Sequence, residues 1–298
     1  MQNLDMTFEQ ANQEINRIIC FLRECLDDEK IVIGLSGGLD SDLTARLCKE
    51  AFGSSRMKLF TVIQDDMDPV HFKNAQDTAT DLGISLVEIN LKDYPLQLLQ
   101  RLEKADSFEK FRPTGLIDPA RIKCSVRTAV FSIYAERGYV VVGTVNRTQL
   151  EIGMTMPLGD GASHIMPIFH LYKTQERLLA SYLGVRNLVI EQPASSGSWL
   201  GAEELEDVSY WIHHKKPIMQ EVPFSCDEKN EVRRIKQLLT TEKLDLALLG
   251  LSGKLSDDVI VSMSGLPKDI ISKLRQLTYA AKIVKHKPMC ISLYKEHL

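Results

Sequence analysis

Small and polar residues stand where a strand should end and a helix should begin. The stretch is IVIGLSGGLDSDLTARL, residues 31–47, and its chemistry-bearing residues are Ser36, Gly37, Gly38, Asp40 and Ser41. The two glycines remove side-chain bulk, so backbone N–H groups can approach an anion closely. The following helix adds the partial positive charge of its N-terminus, and the two serines add hydroxyl donors. The stretch therefore predicts a phosphate-binding loop.

Asp40 is the exception in this loop, because a carboxylate repels phosphate. A divalent cation that bridges the carboxylate and the phosphate would remove the conflict. The loop lacks the lysine of a Walker A sequence and the spacing of the dinucleotide-binding GxGxxG pattern. SGG alone would indicate only a glycine-rich turn. The full SGGLDS, after a buried strand and before a helix, indicates phosphate binding with Mg²⁺ anchored at Asp40.

The elements around this loop alternate between strand and helix. Short apolar runs predict strands over 30–35, 57–63, 84–91 and 139–144. Apolar spacing and capping residues predict helices over 8–25, from the loop to Gly53, from Asp68–Pro69 to Gly83, and over 120–138. This alternation is typical of an α/β fold with a doubly wound parallel sheet. Ligands of such sheets bind at the carboxyl ends of strands, which is where the loop lies.

Length and composition limit the class of protein. The chain has 298 residues, of which 44% are hydrophobic and 26% charged, with a net charge of −4 and a pI near 6.0. This acidic balance argues against a nucleic-acid partner bound through bulk charge. No apolar run reaches the roughly 18 residues of a membrane helix, so we expect a cytoplasmic protein without a membrane partner. None of the six cysteines forms a CxxC pair, which argues against a zinc knuckle.

Several stretches resemble one enzyme family. GLSGGLDSD resembles the SGGxDS loop of the PP-loop ATP pyrophosphatases. VVGTVNRTQLEIG, GDGASHIMPIFHLYKTQERLLASYLGV and IEQPASSGSW resemble consecutive segments of ammonia-dependent NAD synthetase, and GLPKDIISKL with KHKP resembles its closing helix and basic tail. The resemblance implies a synthetase-like α/β domain over 1–212. A divergent insertion of unknown role would follow over 213–262, with a closing helix and basic tail over 263–298.

The resemblance implies a ligase of NAD biosynthesis. In that family the carboxylate of deamido-NAD attacks the α-phosphate of ATP, pyrophosphate leaves, and ammonia displaces AMP from the acyl-adenylate. A free carboxylate does not react with ammonia, because its leaving group would be oxide, and adenylation supplies a better one. ATP and Mg²⁺ are the implied cofactors, and a homodimer is the implied assembly. We find no glutaminase segment, so ammonia would come from solution or from a separate glutaminase.

The resemblance also assigns roles to individual residues. Asp40 and Lys173 would be catalytic, because Asp40 would anchor Mg²⁺ and Lys173 would neutralise phosphate as a point charge. Contacts to ATP would come from Ser36, Gly37, Gly38, Asp40, Ser41, Thr144, Lys173, Thr174, Ser195 and Ser196. Contacts to the substrate would come from Asn146, Asp160, Arg127, His286 and Lys287. Asp160 could instead cap a turn between its two neighbouring glycines.

Departures from the family pattern lie on the substrate side and at the second metal ligand. The family has a glutamate after GTxNRT, and this chain has Gln149, a neutral ligand. Glu151 lies two residues further on and would face elsewhere on a helix. The acidic loop after SGSW is shortened, and either Arg121 or Arg127 could align with an arginine that helps hold ligand. The acceptor substrate therefore stays open.

Two alternatives remain beside the synthetase interpretation. One is a PP-loop enzyme that adenylates a different carboxylate, or that adenylates RNA and transfers sulfur from Cys124. A helix start and Arg127 could tune that thiolate, although a lone cysteine is more often a packing residue. The other is an inactive ATP-binding homologue, which the missing carboxylate at Gln149 favours.

Overall fold

The computed structural model of the chain describes residues 4–65, 67–115, 117–156, 158–194, 203–217 and 225–282. Its strands are β1 (Lys30–Gly34), β2 (Met57–Ile63), β3 (Leu86–Asn90) and β4 (Tyr139–Val141). Its helices are α1 (Phe8–Cys25), α2 (Leu39–Phe52), α3 (Pro69–Leu82), α4 (Tyr94–Ala105), α5 (Ile117–Ala135), α6 (Arg147–Ile152), α7 (Lys173–Tyr182), α8 (Asn187–Glu191), α9 (Glu204–His214), α10 (Cys226–Leu238), α11 (Thr241–Ser252), α12 (Asp257–Ser264) and α13 (Lys268–Ala281). Over those ranges, no helix combines the length and the apolar character needed to cross a bilayer.

The four strands form one parallel sheet in the order β3–β2–β1–β4. Ile31 of β1 pairs with Met57 of β2 on one side and with Val140 of β4 on the other. The chain progresses from β1 to β3 in one direction and returns to place β4 on the opposite side. The gap between β1 and β4 is therefore the point where the strand order reverses, and ligands of such folds bind there. The predicted α/β fold with a doubly wound parallel sheet is confirmed.

Local signals predicted the bounds of α1, β1, α2, β2 and α3 to within one residue, whereas no bounds were predicted for α6 to α12. Asp68 caps α3 by accepting a hydrogen bond from the Val70 amide at 2.8 Å, and Gly83 ends that helix at φ 64°. Helix α5 begins and ends three residues earlier than predicted, because the chain turns at Gly138 with φ 80°. Strands β3 and β4 are shorter than predicted because their pairing stops early, and only a single bridge from Val142 continues β4. Helix α4 was not predicted.

Three apolar clusters hold the layers together. One lies between the sheet and helices α1, α2, α3 and α7, and a second packs Phe60 of β2 against Phe131 and Tyr134 of α5. The third is helical and joins buried residues of α9 to α13. It also includes Ile152 of α6 and Tyr172, the residue before α7. Helices α9 to α13 are therefore packed against α6 and against the start of α7.

Candidate functional site

The glycine-rich loop joins β1 to α2 with a geometry that favours an anion. Gly37 has φ 80°, and a Cβ atom there would lie 1.8 Å from the carbonyl oxygen of His71, so only glycine fits. The hydroxyls of Ser36 and Ser41 are 3.1 Å apart, and Ser41 Oγ donates to the Gly38 carbonyl at 3.0 Å. No described side chain caps α2 at Gly38, so the first amides of that helix stay open toward the cleft.

Asp40 lies one residue inside α2 and meets groups from two other helices. Its carboxylate forms an ion pair with Lys173, the first residue of α7. Its Oδ2 also accepts from the Gln149 side-chain amide at 3.2 Å and from the Asn146 side-chain amide at 3.4 Å. Asn146 is in turn the N-cap of α6, with Gln149 completing the capping box. Two other chain segments therefore converge on the carboxylate of Asp40.

Lys173 is buried among carboxylates. Burial alone would lower the pKa of Lys173, but Asp40, Glu176 and Glu204 reverse this and raise it, so the ammonium is charged at neutral pH. Glu176 is fully buried, with its Oε2 3.7 Å from Lys173 Nζ and 3.4 Å from Asn146 Nδ2. Burial and the adjacent Asp40 raise the pKa of Glu176 well above its usual range. Burial likewise raises the pKa of Glu204, at the start of α9.

Asp245 of α11 positions the first turn of α7. Its Oδ2 accepts from both the backbone amide and the hydroxyl of Thr174, at 2.7 and 2.6 Å. Its Oδ1 accepts from the Thr148 hydroxyl at 2.6 Å, and that hydroxyl also accepts from the Lys173 amide at 3.0 Å. Because Asp245 is itself buried, these bonds fix α6 and α7 relative to each other.

A cleft of about 460 Å³ opens beside this cluster and is lined by residues from the loop, β2, α5 and the segment after β4. Asp40, Gln149, Lys173 and Glu204 form one end of the wall. At the other end Arg127 Nη2 donates to Cys124 Sγ at 2.8 Å, and Asp160 accepts from the Met156 amide at 2.7 Å. Both ends of the cleft thus carry charged groups, and the end with Lys173 and its carboxylates is suited to phosphates and cations.

Comparison with known families agrees with this arrangement. Residues 14–212 match the family model described as NAD synthase.

The chain belongs to the NAD synthase family.

An NH3-dependent NAD+ synthetase of Methanocaldococcus jannaschii is 30% identical over 208 residues, which are 68% of this chain and 78% of that protein. One from Thermoplasma acidophilum is 27% identical over 230 residues, which are 76% of this chain and 91% of that protein. The prediction of a divergent member of this ligase family is confirmed.

Solved structures share the fold of this NAD synthase family member. An NMN synthetase from Francisella tularensis superposes with a TM-score of 0.69 and 19% identity, covering 96% of this chain and 98% of that one. An NH3-dependent NAD synthetase from Campylobacter jejuni superposes with a TM-score of 0.65 and 19% identity, covering 96% of this chain and all (100%) of that one. At these identities the likeness concerns the fold.

Most of the predicted site residues lie together in this NAD synthase fold. Those lining the cleft are Ser36, Gly38, Asp40, Arg127, Thr144, Gln149, Asp160 and Lys173. Gly37 and Ser41 lie in the same loop, and Ser41 is bonded to Ser36. Ser195, Ser196, His286 and Lys287 lie outside the described residues.

Two predicted residues lie behind the cleft wall rather than on it. Asn146 is fully buried and donates to Asp40 and Glu176, so its side chain is occupied by the protein. The Thr174 hydroxyl is occupied by Asp245. Glu151 faces away from Asp40, as expected for its place on a helix, and instead accepts from Arg147 at 2.8 Å and Ser252 at 2.6 Å.

Three carboxylates of the site were not predicted, and each belongs to a different helix. Glu176 lies one turn after Lys173 on α7, Glu204 begins α9, and Asp245 lies in α11. The sequence carries a weak signal for two of these three carboxylates. Asp245 is the one acid in the apolar run LDLALLGL, and Glu176 is spaced to share a helix face with Lys173.

Proposed function

We propose that this chain catalyses the ATP-dependent amidation of deamido-NAD by ammonia, giving NAD, AMP and pyrophosphate. The observation that supports it most is the meeting of the loop 36–41 with Lys173 at the carboxyl ends of β1 and β4. Adenylation of a carboxylate spreads negative charge over phosphate oxygens in its transition state. Fixed N–H donors and a buried ammonium placed before the reaction stabilise that charge.

Each residue then has a defined task in the proposed reaction. The open amides at the start of α2, with Ser36 and Ser41, hold the phosphates of ATP. Lys173 exchanges its pairing with Asp40 for a phosphate oxygen when nucleotide enters. The substrate carboxylate attacks the α-phosphate and pyrophosphate leaves with the electron pair of the broken P–O bond. Ammonia then attacks the acyl carbon, AMP leaves, and the surplus proton passes to solvent.

The family resemblance implies Mg²⁺, and the donor set fits that ion. Asp40, Glu176 and Glu204 offer carboxylate oxygens, the hard ligands that Mg²⁺ prefers. Glu176 Oε1 has no hydrogen-bond partner among the described residues although the side chain is fully buried. With Asp245, four acids surround the single ammonium of Lys173. Bound Mg²⁺ would supply positive charge between Asp40 and the phosphates.

Product analysis on the purified protein tests the proposal directly. The protein is incubated with Mg-ATP and ammonium, with and without deamido-NAD, and the products are separated by chromatography. We expect AMP, pyrophosphate and NAD in equal amounts, and only when deamido-NAD is present. Release of AMP and pyrophosphate without NAD would contradict deamido-NAD as the acceptor. It would still support the proposed cleavage of ATP to AMP and pyrophosphate.

Parallel reactions discriminate among acceptors and nitrogen donors. Nicotinate mononucleotide is the first carboxylate to compare, because one protein with this fold is described as an NMN synthetase. RNA is the next acceptor, and with it Cys124→Ser should abolish any sulfur transfer. We expect deamido-NAD to give the highest turnover. Glutamine in place of ammonium should give no NAD unless a separate glutaminase is added.

The alternative of an inactive ATP-binding homologue makes a different prediction for Gln149. If the chain is an enzyme, Gln149→Glu should retain or increase its turnover, because it restores the family's carboxylate. An inactive homologue would show no product before or after the change.

We also propose, from the family resemblance, that the chain acts as a cytoplasmic homodimer. The acidic net charge of −4 agrees with a small-molecule rather than a nucleic-acid partner. Light scattering coupled to gel filtration tests the assembly, and a mass of one chain would contradict the dimer.

A further inference from the structure

The neutral residue at position 149 leaves the cation site short of a carboxylate on α6. Gln149 cannot supply a charged ligand, and both ends of its amide are already engaged. Its Nε2 donates to Asp40 at 3.2 Å and its Oε1 accepts from the Asn146 backbone amide at 3.3 Å. Gln149 therefore supports Asp40 but adds no charge for a cation.

A carboxylate of α7 lies close to Asp40. Glu176 is one turn after Lys173, and Asn146 Nδ2 lies 3.4 Å from both Asp40 Oδ2 and Glu176 Oε2. The same amide nitrogen therefore holds the two carboxyl groups close to each other. Two carboxylates brought this close inside a protein require a cation or a shared proton between them.

One oxygen of Glu176 has no partner to offset its burial. Its Oε2 faces Lys173 and Asn146, but Oε1 is fully buried with no hydrogen-bond partner among the described residues. An unsatisfied buried carboxylate oxygen costs free energy, so a cation beside it would be stabilising.

Lys173 stands between the two carboxylates. Its ammonium pairs with Asp40 and lies 3.7 Å from Glu176 Oε2. In the proposed reaction Lys173 moves onto a phosphate, which would leave both carboxylates without their shared cation.

We propose that Glu176 is the second carboxylate of the divalent-cation site, in place of the carboxylate missing at Gln149, and that the cation takes the position Lys173 leaves. This inference rests on the proposed function for the entry of ATP. It assigns Asp40 and Glu176 as the charged ligand pair, with the cation facing the phosphate end of the cleft.

Glu204 is the competing candidate, since it lies on the cleft wall beside Asp40. The Asn146 side-chain amide that donates to Asp40 also donates to Glu176, which ties Glu176 to the same anchor. The unpartnered oxygen belongs to Glu176, which is why the geometry favours that residue.

Mn²⁺ binding provides a readout that does not depend on turnover. Free Mn²⁺ is counted by electron paramagnetic resonance during titration of the parent, Glu176→Gln and the matched control Glu204→Gln, with ATP present. We expect Glu176→Gln to weaken Mn²⁺ binding about tenfold or more, and Glu204→Gln to change it by less than about threefold. Unchanged Mn²⁺ affinity in Glu176→Gln, or a larger loss in Glu204→Gln, would overturn the proposal.

Moving the carboxylate from position 176 to position 149 tests whether the two positions can replace each other as cation ligands. The double variant Gln149→Glu/Glu176→Gln should recover Mn²⁺ affinity to within about threefold of the parent, because the number of carboxylates is restored. No recovery would contradict the exchange. Should Glu176→Gln fail to fold, Glu176→Asp keeps the charge and withdraws the oxygens by one methylene, and it should show the same loss. Glu176-dependent Mn²⁺ binding without NAD formation would refute the proposed function alone.

Discussion

Lys173 at the start of α7 pairs with Asp40 of α2, and both side chains line the cleft while being largely buried. The pair joins the segment after the sheet to the loop after β1. Because both groups are largely desolvated, each neutralises the other, and their energies are coupled.

Removal of both partners should therefore destabilise the protein by less than the sum of the two single removals. We expect Lys173→Met to cost about 3–5 kcal/mol, because it leaves Asp40 and Glu176 without a counter-ion. Asp40→Asn/Lys173→Met should cost clearly less than the sum of the two single changes. Urea unfolding in EDTA measures all three, and additive losses would show that the pair is not coupled.

The same pair should control ATP cleavage. Asp40→Ala should abolish pyrophosphate release, since it removes the proposed cation anchor and the partner that positions Lys173. Pyrophosphate release is followed with a coupled colorimetric assay. A variant that releases pyrophosphate at the parent rate would show that Asp40 is not the anchor.

The loop glycines offer a comparison of neighbouring positions. Gly37→Ala should cost about 2 kcal/mol or more, because its φ of 80° is strained for alanine and the Cβ would meet the His71 carbonyl oxygen at 1.8 Å. Gly38→Ala should fold normally, because its Cβ would meet only Ser36 Oγ at 3.4 Å. Thermal melting decides between these, and equal melting temperatures would contradict the steric argument.

Asp245 should matter for both stability and activity. Asp245→Ala leaves the donors of Thr148 and Thr174 unpaired in a buried place, so we expect a loss of about 3 kcal/mol. Turnover should also fall, because Lys173 lies in the first turn of α7, which Asp245 would no longer hold in place. The exposed Glu242 on the same helix provides the control, and Glu242→Gln should leave urea unfolding and turnover unchanged. An Asp245→Ala protein as stable as this control would contradict the assigned role.

A pH-dependent contribution should come from Glu231 on α10. Arg234 and Lys273 lower the pKa of Glu231 from 4.5 to about 2, and Lys273 Nζ lies 2.5 Å from Glu231 Oε1. The folded-state pKa is below the unfolded one, so this stabilisation is present above pH 4.5 and is lost as the pH falls toward 2. After solvent screening, Glu231→Gln should cost about 0.5–1 kcal/mol at pH 7.

Urea unfolding of parent and variant across this pH range measures the effect. The difference between them should shrink toward pH 2 and also in high salt. A difference that stays constant down to the lowest pH would show that Glu231 contributes through packing rather than charge.

The phosphate-binding loop and the start of α3 could be predicted from the sequence because their signals are local. SGGLDS and Asp68–Pro69 each carry their conformational information within a few residues, and the structure has the expected loop and helix start. Glu176 and Asp245 could not be assigned in this way. Their roles depend on which helices pack together, and that is decided by apolar contacts far apart in the chain.

Position 149 illustrates the same limit. The sequence shows that the family's carboxylate is absent at this position, but it does not show which other carboxylates lie near Asp40. Glu176 of α7 lies 3.4 Å from the side chain of Asn146, the N-cap of α6, because the chain folds these two distant segments together. In the proposed cation site, a carboxylate on α7 offsets the one that is absent from α6.

The position of Asp245 limits how this enzyme can be recombined. The family match ends at residue 212, yet Asp245, which holds Thr174 in place, lies beyond it. A chimera that joined residues 14–212 to the helical half of a relative would keep every matched motif. It would still lose the anchor of α7 unless the grafted half brought an acid to the same place. The two parts would therefore have to be exchanged together, although the family match covers only residues 14–212.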